Sequence, residues 1–481
     1  MLFNSYAFAI FLPIVFFIYW LFPAKKRWIV LLLSSGYFYM SWDVKYIFLL
    51  LLTATATYLC GIAIENAEQK KQKKIYMICL LVVCLGLLGF FKYAQFLFDG
   101  LNTLLGMFAM KLHPVTMKLL LPVGISFYTF QCIGYIVDVY KGKIAAEKHW
   151  GYFTTFVTFF PSLTSGPIER TERLLPQIKG LHTFSYEKAT YGLKQMAWGF
   201  FMKMVIADNL VIFVDRIYDE LYTYKGFSFI IVMVLFSIQI YCDFAGYSNI
   251  VLGIAKLFDI DLMTNFKSPY FAASIKEFWS RWHISLSTWF RDYVYIPLGG
   301  NRCKKWRHYG NLLITFLLSG LWHGANITFV IWGGIHGCLQ VIENFFGKGK
   351  NGLQDKFTVK RWIQILMVFI LCSIAWVFFR AESIQDACYL LTHLFDGITS
   401  PITYIRKGYS DLEMLKPEFA KVCLSILLLF VFDFYNYKKD VIEAISRKST
   451  LCRWAIYIGF TLLLLLFLPG TPAKEFIYFQ F

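Results

Sequence analysis

A polytopic bundle of membrane-crossing α-helices is the architecture this chain's composition calls for. Three observations converge on it. Hydrophobic residues fill 58% of the 481 positions and charged residues only 16%, against about 25% charged in soluble domains. Mean hydropathy is +0.55. Apolar runs suited to a hydrocarbon core ~30 Å thick recur along the whole length, parted by short basic loops. The formal charge of +17 therefore reads as topology and not as a nucleic-acid surface. Lysines and arginines beside apolar runs gather on the inner side and set orientation.

The first run, 6–22, is preceded by no cation and followed directly by Lys25, Lys26 and Arg27. That is the reverse of a cleavable signal peptide and sets the N-terminus outside. Runs at 28–42, 45–64 and 75–91 come next, the last two separated by Lys70, Lys71, Lys73 and Lys74. The weaker piece 95–110, with Asp99 and Asn102, reads as interfacial. A run at 118–140 follows. The stretch 150–163 is too short to span and leads into SGPIERTERLLPQI (165–178), so it reads as re-entrant.

Long runs resume at 189–215 and 227–256. The interval 257–308 holds no spanning stretch. Its segment 274–293 has helical spacing, with Trp279, Trp282, Trp289 and Phe290 among Lys276, Arg281 and Arg291. That is the composition of one helix lying at a membrane interface or packed under the bundle. Runs at 309–321 and 325–345 flank His323, and 361–379, 420–434 and 454–469 complete about 11–12 crossings. Both termini fall outside. No repeat or soluble portion interrupts the chain, so 1–481 reads as one domain, its helices arranged around a central funnel. The eleven cysteines show neither a C-x-x-C pair nor metal-ligand spacing, so neither a disulfide framework nor a zinc site is indicated.

His323 is the residue that composition does not explain. Its run enters from the inner side, and about 14 residues of helix rise roughly 21 Å, past the midplane. An ionisable side chain at that depth is a functional-site candidate by default. The next run starts at Ala325, with Gly324 allowing the reversal. A reversal at membrane depth must be buried in protein or line a watery cavity. His283, in R-W-H, lies on the inner side as a second candidate. His336 stands 13 residues beyond His323, roughly 20 Å by helical rise, and reads as structural. Asp243 and Arg380, each at the end of an apolar run, call for partners.

A specific resemblance then comes into view. LLSGLWHGANITFVIWGGIHG resembles the signature of the membrane-bound O-acyltransferase family, whose W-H-G histidine corresponds to His323. LPVGISFYTFQ (121–131), SGPIER (165–170), YCDFAGYS (241–248), FWSRWHISLSTWFRDYVYIPLGG (278–300), AWVFFRA (375–381) and the terminal FIYFQF (476–481) are similar to its bacterial branch. Members of that branch acetylate alginate or peptidoglycan, or move D-alanine to teichoic acid.

The chemistry fits. Moving an acyl group from a thioester to a hydroxyl needs a base for the hydroxyl proton and an acid for the leaving thiolate. A histidine with a pKa near 6.5 serves both steps without a metal. No G-x-S-x-G, H-E-x-x-H or phosphate-loop motif competes. The resemblance implies acetyl-CoA as donor, an extracytoplasmic polysaccharide as acceptor and a separate SGNH-esterase-type partner, at the cytoplasmic membrane of a bacterium. Arg281 and Arg291 are candidates for the donor's phosphates. Trp279, Trp282, Trp289, Trp322 and Asn326 are candidates for lining the substrate path. Tyr478, the one hydroxyl of the terminal hexapeptide, is a candidate acyl carrier. D-alanyl transfer from a carrier protein is the alternative within the family. A transporter or flippase with His323 on its pathway is the alternative outside it; the broken-helix repeats of such proteins are not seen here.

Overall fold

The computed structural model describes residues 1–106, 121–347, 357–468 and 476, and every regular element among them is helical. The first half of the chain forms α1 (Tyr6–Leu21), α2 (Arg27–Met40), α3 (Lys45–Asn66), α4 (Lys70–Gly106), α5 (Ile125–Tyr140), α6 (Trp150–Thr158), α7 (Phe160–Leu163), α8 (Thr171–Lys179), α9 (Tyr186–Phe200), α10 (Asp208–Asp219) and α11 (Phe227–Leu257). The second half forms α12 (Ile275–Arg281), α13 (Ile284–Phe290), α14 (Lys305–His323), α15 (Ile327–Phe345), α16 (Val359–Arg380), α17 (Ile384–Thr392), α18 (Pro401–Ser410), α19 (Lys416–Asn436), α20 (Val441–Ser446) and α21 (Thr450–Phe467). A π-helical turn, Phe201–Ala207, joins α9 to α10, and a second, Arg291–Tyr295, follows α13.

The all-α membrane class holds. Among the described residues, six helices have the length and composition to cross a membrane: α3, most of α4, α9 continued into α10, α11, α16 and α21. Other apolar runs fold as shorter helices, such as the 16-residue α1 and α5 and the 14-residue α2. Two expected boundaries change. The described part of the piece at 95–110 is not a separate element, because α4 runs unbroken to Gly106. No proline interrupts it, and Gln95 donates to Asp99 one turn along at 2.9 Å, so this pair is satisfied within the helix. The segment 274–293 is two short helices instead of one, parted at Trp282 and His283.

The chain gathers into two compact units, Met1–Gly192 with Val251–Met263, and Leu193–Ile250 with Thr264–Phe481. In the first, α2 packs on α6, and α3 packs on α4, α5 and α6. Gly124 starts α5 at φ 75°, and a Cβ there would also overlap the Leu163 carbonyl, so only glycine fits. The buried Glu169 carboxylate accepts from the Met263 amide at 2.5 Å, and burial pushes it up to about 7.

In the second unit, α14 and α15 form an antiparallel hairpin with glycine at the crossing. A Cβ on Gly320 would overlap the Phe329 carbonyl oxygen, and one on Gly333 would overlap that of Phe316. Small residues let the two backbones touch, which is how helices pack tightly where lipid removes the hydrophobic drive. The same device brings α9 against α11. A Cβ on Gly199 would lie 2.6 Å from the Gly246 carbonyl oxygen.

Candidate active site

The tight α14–α15 hairpin sets the position of His323, the last residue of α14. Its side chain is buried. Trp322 and Trp332 stand 5.0 Å from its ring, Phe379 at 5.3 Å and His283 at 6.5 Å, all between centroids. Gly324, expected to supply torsional freedom at the reversal, has extended backbone open to any residue (φ −164°). Glycine is required there for space, since a Cβ would run into the Phe329 ring.

His283 reaches His323 because the chain bends sharply before it. Its backbone is left-handed (φ 43°, ψ 53°), a conformation uncommon outside glycine and worth roughly 1–3 kcal/mol of strain. Asn265 holds the bend. Its carbonyl accepts from the Ile284 amide at 3.0 Å, and its side-chain oxygen accepts from the Ser285 amide at 3.2 Å. This bend is why a helical pattern across 274–293 does not give one helix. The imidazole is fully buried edge-on to Phe244 (4.7 Å) and 6.1 Å from Trp322. Burial lowers its pKa to about 3, so it is neutral at physiological pH.

His336 is nearer than roughly 20 Å. Its ring lies 5.1 Å from Trp332, which is itself 5.0 Å from His323. Part of the intervening chain is spent turning, so rise along α15 counts only from Ile327. His336 Nδ1 accepts from Trp279 Nε1 at 3.3 Å, which supports a structural role.

The tryptophans singled out on composition are inside the protein. Trp279, Trp282, Trp289 and Trp322 are all at most 8% exposed, so none is an exposed belt residue. Trp282 packs on Trp376 at 4.9 Å and Trp289 on Tyr293 at 5.2 Å. Asn326 caps α15: it accepts from the Thr328 amide at 3.1 Å and donates to the Glu382 carbonyl at 2.7 Å. The two arginines differ. Arg281 is turned inward, 3.0 Å from Glu277 and 4.1 Å over the Tyr437 ring, and Glu277 also binds Arg361. Arg291 is mostly exposed and pairs with Asp292 at 2.8 Å.

A cavity of about 530 Å³ lies next to both histidines along the chain, its lining including Ile284, which follows His283, and Ser319, one turn before His323 on α14. Two cations, Lys276 and Arg291, line it together with Trp279 and Phe316 and with the hydroxyl and amide side chains of Ser287, Thr288, Thr315 and Gln340. Among the described residues, no group of three or more His, Cys, Asp or Glu is arranged to hold a metal ion.

The two costly charges find partners. Arg380 binds Asp215 at 3.0 Å, and Asp243, which lies midway along α11 instead of at a run's end, pairs with Lys203, a residue that sequence reading passed over. Its signal was present, a lysine in the middle of the apolar run 189–215. Tyr478 lies outside the described residues.

Comparison with known proteins gives the family. Residues 148–381 match the model of the membrane-bound O-acyltransferase family, a span that includes both His283 and His323. A probable alginate O-acetylase AlgI of Pseudomonas putida is 34% identical, over 100% of each chain. The chain belongs to the membrane-bound O-acyltransferase family. This acyltransferase is also 32% identical to a peptidoglycan O-acetyltransferase of Helicobacter pylori, covering 100% of this chain and 98% of that one. A teichoic acid D-alanyltransferase of Bacillus subtilis is 31% identical but covers 52% of this chain and 65% of its own. The protein is thus a multi-pass membrane O-acyltransferase.

Proposed function

We propose that this enzyme takes an acetyl group from cytoplasmic acetyl-CoA and delivers it across the membrane for O-acetylation of an extracytoplasmic polysaccharide. The observation that carries the reading is the juxtaposition of His283 and His323, with a cavity lined by Lys276 and Arg291 reaching Ile284 and Ser319, their neighbours along the chain. Arg291 attracts the donor's phosphates, and the pantetheine arm enters toward Ser319 and Trp279. His323 accepts the proton of an attacking hydroxyl as its oxygen bonds the thioester carbon. The C–S bond then breaks, and the same proton passes to the thiolate sulfur, leaving an ester and free CoA. Neutral His283 and Trp322 orient the His323 ring and exclude water. Trp282, Trp289 and Asn326 shape the walls and the turn.

The hydroxyl is that of Tyr478, and the resulting acyl-tyrosine hands its acetyl group to an SGNH-type partner outside. That places the enzyme in a bacterial cytoplasmic membrane with both termini outside. Acetyl transfer is favoured over D-alanyl transfer because the acetyltransferases match the full chain while the D-alanyltransferase matches about half.

The test is purified enzyme with acetyl-labelled CoA. Label is expected on the C-terminal peptide of the parent and absent from Tyr478→Phe, which still binds donor. Failure to consume acetyl-CoA overturns the donor; label on Tyr478→Phe overturns the carrier.

A further inference from the structure

Lys203 sits in the π-helical turn after α9, inside an apolar span, with its side chain only 1% exposed. An ammonium so placed needs its charge met. Asp243 on α11 pairs with it, and Asp208 at the start of α10 lies 2.9 Å away. The Gly199–Gly246 crossing creates this contact, since a Cβ on Gly246 would lie 2.9 Å from the Lys203 amide nitrogen. Phe476 also lies against the ammonium, its ring centroid 4.6 Å from Nζ. Phe476 is 2% exposed and stands edge-on to Tyr247 at 4.5 Å. The face of an aromatic ring attracts a cation, most strongly where water is excluded.

Position along α11 gives the contact a purpose. Phe244 packs on His283, and Tyr247, three residues on and so on the same helix face, packs on Phe476. One turn of α11 therefore touches the histidine pair with one ring and the start of the C-terminal hexapeptide with another.

We infer that Lys203, clamped between Asp208 and Asp243, is the seat of the C-terminal tail. Its ammonium grips the Phe476 ring and acts as a positioning residue, fixing Phe476 against the same turn of α11 whose Phe244 packs on His283. The purpose of the seat rests on the acyl-carrier reading of Tyr478; the seat itself does not.

The test uses full-length enzyme with Phe476→Ala, Phe476→Leu and Phe476→Trp. Two readouts are taken: the rate of chymotryptic cleavage after Tyr478, and acyl transfer to Tyr478 from acetyl-CoA. Phe476→Ala is expected to be cleaved at least tenfold faster. Its kcat for transfer should fall at least tenfold, with the KM for acetyl-CoA unmoved. Phe476→Leu keeps the apolar plug without the ring and falls between, while Phe476→Trp restores the parent behaviour. Unchanged cleavage in Phe476→Ala overturns the seat. Parent-like Phe476→Leu on both readouts overturns the part given to the Lys203 ammonium. Faster cleavage with no label on Tyr478, even in the parent, upholds the seat and overturns the carrier.

Discussion

Gly320→Ala tests whether the close α14–α15 crossing positions His323. The added Cβ would overlap the Phe329 carbonyl oxygen and lie 3.0 Å from its carbon and 3.3 Å from the Gly333 Cα. Carbon atoms prefer about 3.5–4.0 Å, so the helices must part by roughly 0.5–1 Å. Backbone atoms on both sides leave no flexible side chain to yield. Overpacking of this kind costs about 1–3 kcal/mol, which a folded bundle survives. A displacement of about 1 Å at a reacting group costs on the order of 100-fold in rate. The expectation is a protein that inserts, melts somewhat earlier and turns over about 100-fold more slowly. Gly334→Ala, on the α15 side of the same hairpin, is the control, because its nearest neighbour, Leu317 Cδ2, is at an ordinary 3.5 Å. Turnover on acetyl-CoA and thermal melting in detergent decide the matter. Parent-like turnover in Gly320→Ala, or equal loss in Gly334→Ala, refutes the argument.

Three further outcomes follow. Arg291→Glu should raise the KM for acetyl-CoA about tenfold at low salt and less at high salt, as screening predicts, and a KM that ignores both charge and salt removes Arg291 from the donor mouth. Arg281→Glu, by contrast, should lower the melting temperature, because it sets a second carboxylate against Glu277 and leaves Arg361 alone to neutralise both. His283 titrates near 3 when folded and at 6.5 when unfolded. The unfolded chain therefore takes up the proton first, and stability falls below pH 6.5 by about 2 kcal/mol at pH 5. His283→Gln should lose that share of acid sensitivity, and equal melting shifts in both proteins between pH 7 and pH 5 contradict it.

What the sequence could reveal follows from which forces are local. Apolar runs and basic loops are read residue by residue, so the helical membrane class was legible. His323 was legible because an ionisable group between two apolar runs violates the local rule. The break at His283 was not, since it depends on Asn265, a residue distant in sequence, donating nothing but two acceptors to a bend. Composition likewise offered Arg281 and Arg291 as equals. Only packing shows that one guanidinium is committed to Glu277 and Tyr437 while the other faces solvent. Lys203 was passed over because its charge is answered by Asp243, 40 residues away along the chain and across a glycine crossing.

The central claim is that the ring of His323 moves the proton during acyl transfer. The most direct measurement is kcat/KM for acyl transfer from acetyl-CoA by His323→Ala in purified, correctly inserted enzyme. Loss of a general acid–base should lower it about 10²–10⁴-fold with donor binding retained. Transfer by the alanine variant within a few fold of the parent would contradict the account.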